Sequence, residues 1–569
     1  YATPIVISIT VENLSTERNL TVNLKDTITS NTPNLNKALK RDSGAYTSGT
    51  NITLYPKDNG TSTTTFTITL SVTDKNQSLA NAQFDYDLNL YDESVEPVDV
   101  EVLEYFKFDD SGNLTSYTGT ESEVTVPSSY SMIGEPITKS LYFETVDSAD
   151  EYMMTLVGIT NFKLTTDDGE EYIFEDFGDM VFSPDFESKF PCTLEYKDYS
   201  NVTFTTGSDY QVEGMVGAFA FNQTIQTVNL PDTIKNIGFY SFGNSTLKEI
   251  TLPSSLTSIG DRAFDGCSNL QPSITDDNGV EYLGSEQNPY LVLLDGTGVT
   301  TSSYTVNSNC QIIYEDAFSW FAGLTSITLP EGLISIGGGA FGSCSSLKSI
   351  ILPSSLTSIG DGAFSDCDRL TSITLPSSLT SIGRDAFWGS NGLTSIDLSN
   401  CISLTSIGRS AFEGCNNLTG TVTIPASVIE IGTNPFMDCS NLEGITVESG
   451  NSSYYVEGNC LIENSTKTLI TGFDNSTIPS DIKVIGDNAF YNCDSLTSIT
   501  LPSSLTSIGT RAFYGCSNLT SVTFPSTTGW YVTTSSTATS GTNVSVTDPS
   551  TNASNLTGQY RTYYWKRNV

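Results

Sequence analysis

The sequence contains no histidine, and basic residues are few among its 569 positions. Without histidine the chain lacks the side chain that most often acts as a general base near neutral pH and most often binds metals. A Ser-His-Asp arrangement is therefore excluded, and no motif suggests a serine–lysine pair in its place. The Cys-x-x-Cys spacing of zinc and dithiol sites is also absent. We predict a protein without catalytic residues, a metal site or a cofactor.

Positive charge and long apolar runs are both scarce. The chain has 25 Lys and Arg residues against 65 Asp and Glu residues, a net charge of −40, although only 16% of its residues are charged. This balance repels the phosphates of nucleic acids and anionic lipid surfaces, so we expect neither as a partner. No apolar run reaches the length of a membrane span, and Tyr1 does not begin a signal peptide, so we expect no transmembrane segment in the given chain.

What the sequence does contain is one phrase repeated many times. "PSSLTSIG" occurs at 253–260, 353–360, 376–383 and 502–509, and each copy is followed two residues later by Ala-Phe. A period in the twenties with an inner LxxIxL pattern is typical of a leucine-rich-repeat solenoid. The phenylalanines that mark this period are spaced 22 to 25 residues apart within three blocks and are Phe219, Phe242, Phe264, Phe318, Phe341, Phe364, Phe387, Phe412, Phe436, Phe490 and Phe513.

The unit at 370–390 indicates how one turn of the coil packs. "LTSITL" predicts a strand whose leucines and isoleucine point inward while the small polar residues alternate outward. The proline that follows ends this strand, and "SSLTSIG" returns along a second side of the coil. We expect Gly383 to supply a flexible corner and Phe387 to stack on the equivalent phenylalanine one turn away. The turn of Phe318 is irregular, because Tyr314 stands where most turns have this glycine.

The eleven cysteines are an odd number, and most of them share one place in the repeat. Equivalent cysteines in neighbouring turns are expected to lie about one strand spacing apart, wider than the roughly 3.5–4.5 Å between Cβ atoms that a disulfide needs. We therefore expect free, buried thiols. The seven that follow a repeat phenylalanine by three residues are Cys267, Cys344, Cys367, Cys415, Cys439, Cys493 and Cys516.

The segment "ILPSSLTSIGDGAF" with its following cysteine resembles the BspA-like leucine-rich-repeat proteins, the type 5 repeat class. The interruptions at 279–294 and 451–473 are similar to hairpin inserts of that family, and 105–130 is similar to its opening segment. The resemblance covers about residues 104–569. It implies secreted or surface-displayed proteins that bind other molecules and lack catalysis.

We predict a mainly β chain of four parts. Short β-branched runs separated by turn residues indicate an immunoglobulin-like β-sandwich at 1–98. Residues 99–210 are predicted to be the N-terminal cap of the solenoid, with an inserted β-rich subdomain after residue 140, and 211–525 the solenoid itself. The open end of a solenoid needs covering, and the aromatic tail at 526–569 is predicted to be this C-terminal cap.

Two short segments have partial metal-binding patterns. "FDDSGN" at 108–113 and "TDDNG" at 275–279 look like pieces of calcium loops, but both lack the closing glutamate and the full ligand spacing. Turn formation explains both. The sequence does not exclude a pair of catalytic carboxylates of the kind that glycosidases use, because two acids distant in sequence can meet in space.

The outward strand positions of the repeat form the one candidate binding face. Small hydroxyl residues suit an exposed strand, which is a purely structural explanation, but such a face is also broad, nearly uncharged and fit for multivalent contact with protein or glycan. Its residues are Ser326, Thr328, Ser349, Ile351, Ser372, Thr374, Ser395, Asp397, Thr421, Thr423, Ser498 and Thr500.

The leading hypothesis is a non-enzymatic extracellular or cell-surface binding protein, whose partner is a protein or glycan on another cell or in the matrix. The alternative is a structural subunit of a surface filament or layer, in which copies of the chain join by end-to-end stacking or by strand addition around residues 4–11.

Overall fold

The computed structural model describes residues 105–133 and 203–568, apart from positions 535 and 537, together with separate strands and single positions elsewhere. The chain divides into two compact units, Tyr1–Glu101 and Val102–Val569.

The first unit contains seven strands in two antiparallel sheets, of order β1-β6-β3-β4 and β5-β2-β7. The other residues of this unit and all of its side chains lie outside the described part of the chain, so the β-sandwich at 1–98 stays a prediction. The strands are β1 (Ile5–Glu12), β2 (Leu20–Lys25), β3 (Leu35–Arg41), β4 (Gly44–Ala45), β5 (Ile52–Leu54), β6 (Thr63–Val72) and β7 (Asp87–Asp92).

The second unit opens with two strands that join the solenoid directly and with a separate antiparallel sheet. β9 and β10 pair in parallel with the first solenoid strands, while β12, β15, β13 and β14 form a four-stranded antiparallel sheet in that order. These strands are β8 (Phe106–Phe108), β9 (Asn113–Tyr117), β10 (Glu123–Thr125), β11 (Ser129–Ile133), β12 (Ile137–Phe143), β13 (Thr160–Thr166), β14 (Glu171–Asp176), β15 (Cys192–Asp198) and β16 (Thr203–Gln211).

The remainder of the unit is a solenoid of parallel turns. Each regular turn contributes a three-residue strand to a front ladder and a two-residue Ser-Ile strand, or its equivalent, to a back ladder. Through the first insert, these strands are β17 (Gly214–Met215), β18 (Thr227–Asn229), β19 (Asn236–Ile237), β20 (Glu249–Thr251), β21 (Ser258–Ile259), β22 (Ile274–Thr275), β23 (Glu281–Leu283) and β24 (Val292–Asp295).

The central block is the longest, and a second insert follows it. Its strands are β25 (Ser303–Thr305), β26 (Ile312–Ile313), β27 (Ser326–Thr328), β28 (Ser335–Ile336), β29 (Ser349–Ile351), β30 (Ser358–Ile359), β31 (Ser372–Thr374), β32 (Ser381–Ile382), β33 (Ser406–Ile407), β34 (Gly420–Ile424), β35 (Glu430–Ile431), β36 (Leu442–Val447), β37 (Tyr454–Glu457), β38 (Cys460–Glu463) and β39 (Thr468–Thr471).

The last turns are followed by a closing layer that the aromatic tail forms. β46 pairs antiparallel with the back strand β42, and Trp565 is buried beside Phe524. The elements are β40 (Val484–Ile485), β41 (Ser498–Thr500), β42 (Ser507–Ile508), β43 (Ser521–Thr523), β44 (Trp530–Thr533), β45 (Thr542–Asn543), α1 (Pro549–Ser554), a π-helical turn (Asn555–Gln559) and β46 (Tyr564–Arg567).

The predicted phenylalanine column is confirmed. The rings of Phe341, Phe364 and Phe387 lie nearly parallel, with centroids 5.3 and 5.4 Å apart, and all three are fully buried. The leucines and isoleucines of both ladders fill the same interior, so every turn covers the apolar side of its neighbour. The coil with leucines inward, argued from the repeat, is therefore the observed fold.

The role predicted for Gly383 was wrong. Its backbone is not in the left-handed region, and a Cβ there would lie 2.5 Å from the Asp361 backbone nitrogen and 2.5 Å from the Gly360 carbonyl carbon. Glycine is therefore present because the preceding turn leaves no room for a side chain. Tyr314 is tolerated at the same repeat position because an insert interrupts the coil just before it, so its ring extends back to pack edge-on against Phe264.

The ten cysteines whose side chains are described are free, as predicted, and nine of them are buried. Six of these thiols make the same contact: each donates a hydrogen bond to a phenylalanine carbonyl of the preceding turn, as Cys344 does to Phe318 at 3.1 Å and Cys367 does to Phe341 at 3.2 Å. In one turn Ser390 takes this place and donates to the Phe364 carbonyl at 2.6 Å.

We expect these thiols to be unreactive in the native protein. Burial raises the pKa of Cys344 and of Cys415 to about 12, so almost no thiolate is present at neutral pH. Iodoacetamide labelling mapped by peptide mass spectrometry should modify Cys267 first, since it is only partly buried, and the nine buried cysteines only after unfolding in urea. Rapid native labelling of Cys344 would contradict this assignment.

Candidate functional site

The front ladder of the central block carries the predicted binding face. In β27, β29 and β31 the middle residue is buried and both flanking residues are exposed. Parallel pairing aligns these strands in register. The structure thus brings together six of the predicted residues, namely Ser326, Thr328, Ser349, Ile351, Ser372 and Thr374.

Sequence reasoning missed the first strand of this face. Ser303 and Thr305 of β25 are exposed and pair in register with Ser326 and Thr328. Tyr304 stands between them where the repeat has isoleucine, and the preceding insert hides the period. Counting one 23-residue step back from Ser326 would have found them.

The other predicted positions do not continue this sheet. Ser395 and Asp397 are exposed but belong to no strand, so their prediction as outward strand positions was wrong. Asp397 instead accepts hydrogen bonds from the backbone nitrogen of Ser399 at 2.9 Å and from its hydroxyl at 2.6 Å. These bonds lower the pKa of Asp397 and form a turn directly after the predicted strand.

The last four predicted residues lie on two smaller sheets. Thr421 and Thr423 belong to β34, and Thr423 is half-buried with its hydroxyl 2.9 Å from that of Thr446. Ser498 and Thr500 are exposed on β41 beyond the second insert. Ten of the twelve predicted residues therefore lie on three different sheets, of which the four-stranded front ladder β25-β27-β29-β31 is the largest, and Ser395 and Asp397 lie on none.

The hydroxyls of the repeat fall into two classes, which sequence alone does not separate. One class is used by the coil: Thr325 donates to the Ser302 carbonyl at 2.8 Å, and Ser355 donates to the Leu333 carbonyl at 2.6 Å. In contrast, the hydroxyls of Ser349 and Ser372 have no hydrogen-bond partner among the described residues. The outward hydroxyls of the front ladder are thus open to a ligand.

Both inserts open a notch on the side of the coil that carries the phenylalanine corners. Each insert contacts the ring of the next repeat phenylalanine through a glycine: Gly296 lies against Phe318, and Gly472 lies against Phe490. A Cβ would lie 2.1 Å from the ring at Gly296 and 2.2 Å from the ring at Gly472. An insert therefore lacks the segment that carries the repeat phenylalanine in a regular turn, and the space that this segment would fill stays empty. The two cavities have volumes of about 480 and 330 Å³.

In the first notch, called the acidic notch below, side chains accept the backbone N–H groups that a neighbouring turn's carbonyls accept elsewhere in the coil. The Tyr314 hydroxyl accepts the Phe264 N–H at 3.0 Å, and Glu315 Oε2 accepts the Arg262 N–H at 2.5 Å. These hydrogen bonds connect the turn before the insert to the turn after it. The charged residues that line the notch are Asp261, Arg262, Glu315, Asp316, Asp361, Arg384 and Asp385.

Burial, together with neighbouring carboxylates, raises the pKa of two acidic side chains in the acidic notch. Loss of solvent, together with the charges of Asp261 and Asp316, raises the pKa of Glu315 to about 7 against the opposing effect of Arg262. Loss of solvent and the charge of Asp261 likewise raise the pKa of Asp361 to about 6, although Arg384 opposes this shift. Both groups titrate close to neutral pH.

We expect the acidic notch to lose stability as pH rises. A carboxyl group whose pKa is higher in the folded than in the unfolded state stabilises the fold at low pH, and this contribution is lost as pH rises through the folded value. The window for Glu315 is about pH 4.5 to 7. At pH 7.5, Glu315→Gln should raise the free energy of unfolding by about 1–2 kcal/mol, after allowance for solvent screening.

Urea denaturation of the native chain and the Glu315→Gln variant at pH 5 and pH 7.5 tests this expectation. The variant should show the smaller loss of stability between the two pH values. Glu331→Gln, a change of an exposed acid on the following turn, is the matched control and should follow the native chain. Equal pH dependence in all three proteins would show that Glu315 is not held in an unfavourable charged state.

The segments that looked like calcium loops are turns. Asp109 Oδ1 accepts the backbone N–H groups of Ser111 and Asn113 at 2.9 and 2.8 Å. Asp276 similarly accepts the Val280 N–H at 3.0 Å and the Tyr304 hydroxyl at 2.7 Å. Among the residues that the structure describes, no group of three or more acids and cysteines could hold a metal ion, and no helix is long and apolar enough to cross a membrane.

A profile of the BspA type leucine rich repeat region, in six copies, matches residues 201–287, 298–419, 389–471 and 462–552. The chain belongs to the BspA-type leucine-rich repeat family. The matched segments cover most of the solenoid, the start of the first insert, the second insert and the start of the C-terminal closing layer. No protein among curated sequences matches the chain.

Seven solved protein chains are similar to this BspA-type chain. The pneumococcal vaccine antigen PcpA is 26% identical over 44% of this chain and 70% of its own, with a TM-score of 0.39. A leucine-rich repeat protein from Bacteroides ovatus is 27% identical over 55% of this chain and 82% of its own, with a TM-score of 0.31. One from Eubacterium ventriosum is 25% identical over 41% and 65%, with a TM-score of 0.32.

Proposed function

We propose that this BspA-type protein is a non-enzymatic binding protein of the cell surface or extracellular space, and that its front ladder β25-β27-β29-β31 contacts a protein or glycan partner. The observation that supports this most is that the serine and threonine hydroxyls of the repeat fall into two classes. Those that hold the coil together have partners within the chain, whereas Ser349 and Ser372 present unpaired hydroxyls outward.

One apolar side chain gives the face an anchor. Ile351 is 82% exposed at the centre of the ladder, between Thr328 and Thr374 of the neighbouring strands. An exposed apolar residue surrounded by small polar ones is the arrangement from which binding hot spots form, because a partner that covers it also excludes water from the surrounding hydroxyls. The face carries no charge of its own, so complementary shape and hydrogen bonding decide its partner.

Binding of the full chain to whole cells, matrix proteins and a glycan array tests this proposal. Ile351→Lys should lower binding about tenfold or more, since it removes the anchor and places a charge in the interface. Ile429→Lys is the matched control, because Ile429 is 66% exposed and immediately precedes the back strand β35. The proposal fails if no partner is found, or if both variants bind equally well.

A second candidate is a subunit of a surface filament. β1 lies at the edge of its four-stranded sheet, as strand addition from a neighbouring copy requires. Electron microscopy of the native protein distinguishes the two functions, because regular fibres support assembly and separate particles support a monomeric binding protein.

A further inference from the structure

The notch beside the second insert differs from the acidic notch in chemistry and in size. Its cavity of about 330 Å³ lies between the turns of Phe436 and Phe490, where the phenylalanine column is interrupted. Phe473 and Gly472 of the insert line it together with two further apolar residues and two cysteines, and the other lining residues carry amide, carboxylate, hydroxyl and phenol groups. No lysine or arginine is among the residues that line it.

The walls of this notch are held in place by hydrogen bonds across the insert. Asn434 Nδ2 donates to the Asn488 carbonyl at 2.7 Å, and Asn434 Oδ1 accepts the Thr471 hydroxyl at 2.9 Å. Asn492 Nδ2 donates to Asp438 Oδ1 at 2.9 Å. The cavity is therefore preformed, which lowers the entropic cost of binding a small ligand.

Several polar groups that line the cavity have no partner within the described residues. The hydroxyls of Tyr491 and Ser495 and the carboxylate of Glu443 make no side-chain hydrogen bond there, and Asp438 uses one of its two oxygens. Tyr491 also contributes an aromatic ring to the lining. This ring is held in place because it stacks on Tyr514 of the next turn, with centroids 5.1 Å apart. The site thus combines one aromatic surface with acceptors and donors placed around it.

The geometry points to a binding site for a neutral oligosaccharide in this second notch, with Tyr491 as the stacking surface and Glu443 and Asp438 as acceptors of sugar hydroxyls. Sugar rings pack their C–H faces on aromatic rings, and vicinal hydroxyls donate well to carboxylates. The carboxylates and the absence of basic residues disfavour sialic acids and uronic acids. The volume suits about two sugar rings.

The test uses the full chain with lactose, maltose, cellobiose and N,N′-diacetylchitobiose as probes, measured by saturation-transfer NMR and calorimetry. At least one probe should bind, and Tyr491→Ala should weaken it about tenfold. Tyr514→Ala is the matched control, because it breaks the same ring pair but removes a residue that does not line the cavity. It should change binding less than about twofold.

Two further variants separate this site from the front ladder. Glu443→Gln should weaken the bound probe several-fold, whereas Ile351→Lys should leave it unchanged, so the two proposals can fail independently. The sugar-site proposal is overturned if no probe binds at about 10 mM, if Tyr514→Ala is as damaging as Tyr491→Ala, or if sialyllactose or pentalysine binds in preference to the neutral probes.

Discussion

Phe364→Ala is expected to lower the free energy of unfolding by about 3–5 kcal/mol. Phe364 is fully buried in the middle of the longest stack, with ring centroids 5.3 Å from Phe341 and 5.4 Å from Phe387. The site cannot collapse around a smaller side chain, because the Phe364 N–H and the Phe341 N–H donate across the turns at 2.7 and 2.8 Å and fix the turn spacing. The deletion therefore leaves a cavity.

Urea denaturation followed by far-UV circular dichroism measures this loss. Trp320→Ala is the control, because it also deletes a large aromatic side chain from the solenoid but Trp320 is 79% exposed. This substitution should lower the free energy of unfolding by less than about 0.5 kcal/mol. Similar midpoints for the two variants would mean that the stacked column contributes little. Because turns of a solenoid are coupled mainly to their neighbours, hydrogen exchange should show the loss concentrated around 341–387.

Gly383→Ala is expected to destabilise the solenoid by about 3 kcal/mol. The added methyl group would meet backbone atoms of the preceding turn at 2.5 Å, and backbone atoms held in a ladder cannot rotate away as a side chain can. The turns must therefore separate locally, which also weakens the contacts between neighbouring phenylalanines. The effect is steric, because Gly383 has a backbone conformation that alanine can adopt.

Gly332→Ala is the matched control for this prediction. Nothing lies within 4 Å of a Cβ at position 332, and its backbone is also outside the left-handed region, so this variant should be neutral or slightly stabilised. Thermal unfolding of the two variants and the native chain distinguishes the cases. If Gly383→Ala unfolds together with Gly332→Ala, the close approach of successive turns is not a constraint on stability.

The sequence was informative wherever one turn resembles the next. The inward leucines, the phenylalanine column and the free thiols follow from a period of 22 to 25 residues, because equivalent residues in a coil must stack. Prediction failed where a turn departs from the pattern. Asp397 occupies an outward repeat position but belongs to no strand, and its carboxylate accepts hydrogen bonds from Ser399 in the turn that follows. Ser303 was missed because an insert precedes it.

The candidate sites could be predicted only in part. An outward row of serines and threonines is visible in the repeat. The sequence does not distinguish the roles of the adjacent hydroxyl residues Thr325 and Ser326, however. The structure separates them, since Thr325 bonds to the carbonyl of Ser302 in the preceding turn and Ser326 points outward without a partner. The notches had no signal in the repeat, because they arise where the repeat is interrupted.

The sequence by itself determined that this chain is a coil of leucine-rich turns with two inserts and no histidine-dependent chemistry, since these properties depend on composition and on contacts between like positions. Only the tertiary structure decided which hydroxyls are open, why Gly383 must lack a side chain and where the inserts leave cavities. These features depend on unlike residues 22 to 54 positions apart, such as Tyr491 and Asp438, which the winding of the coil brings together.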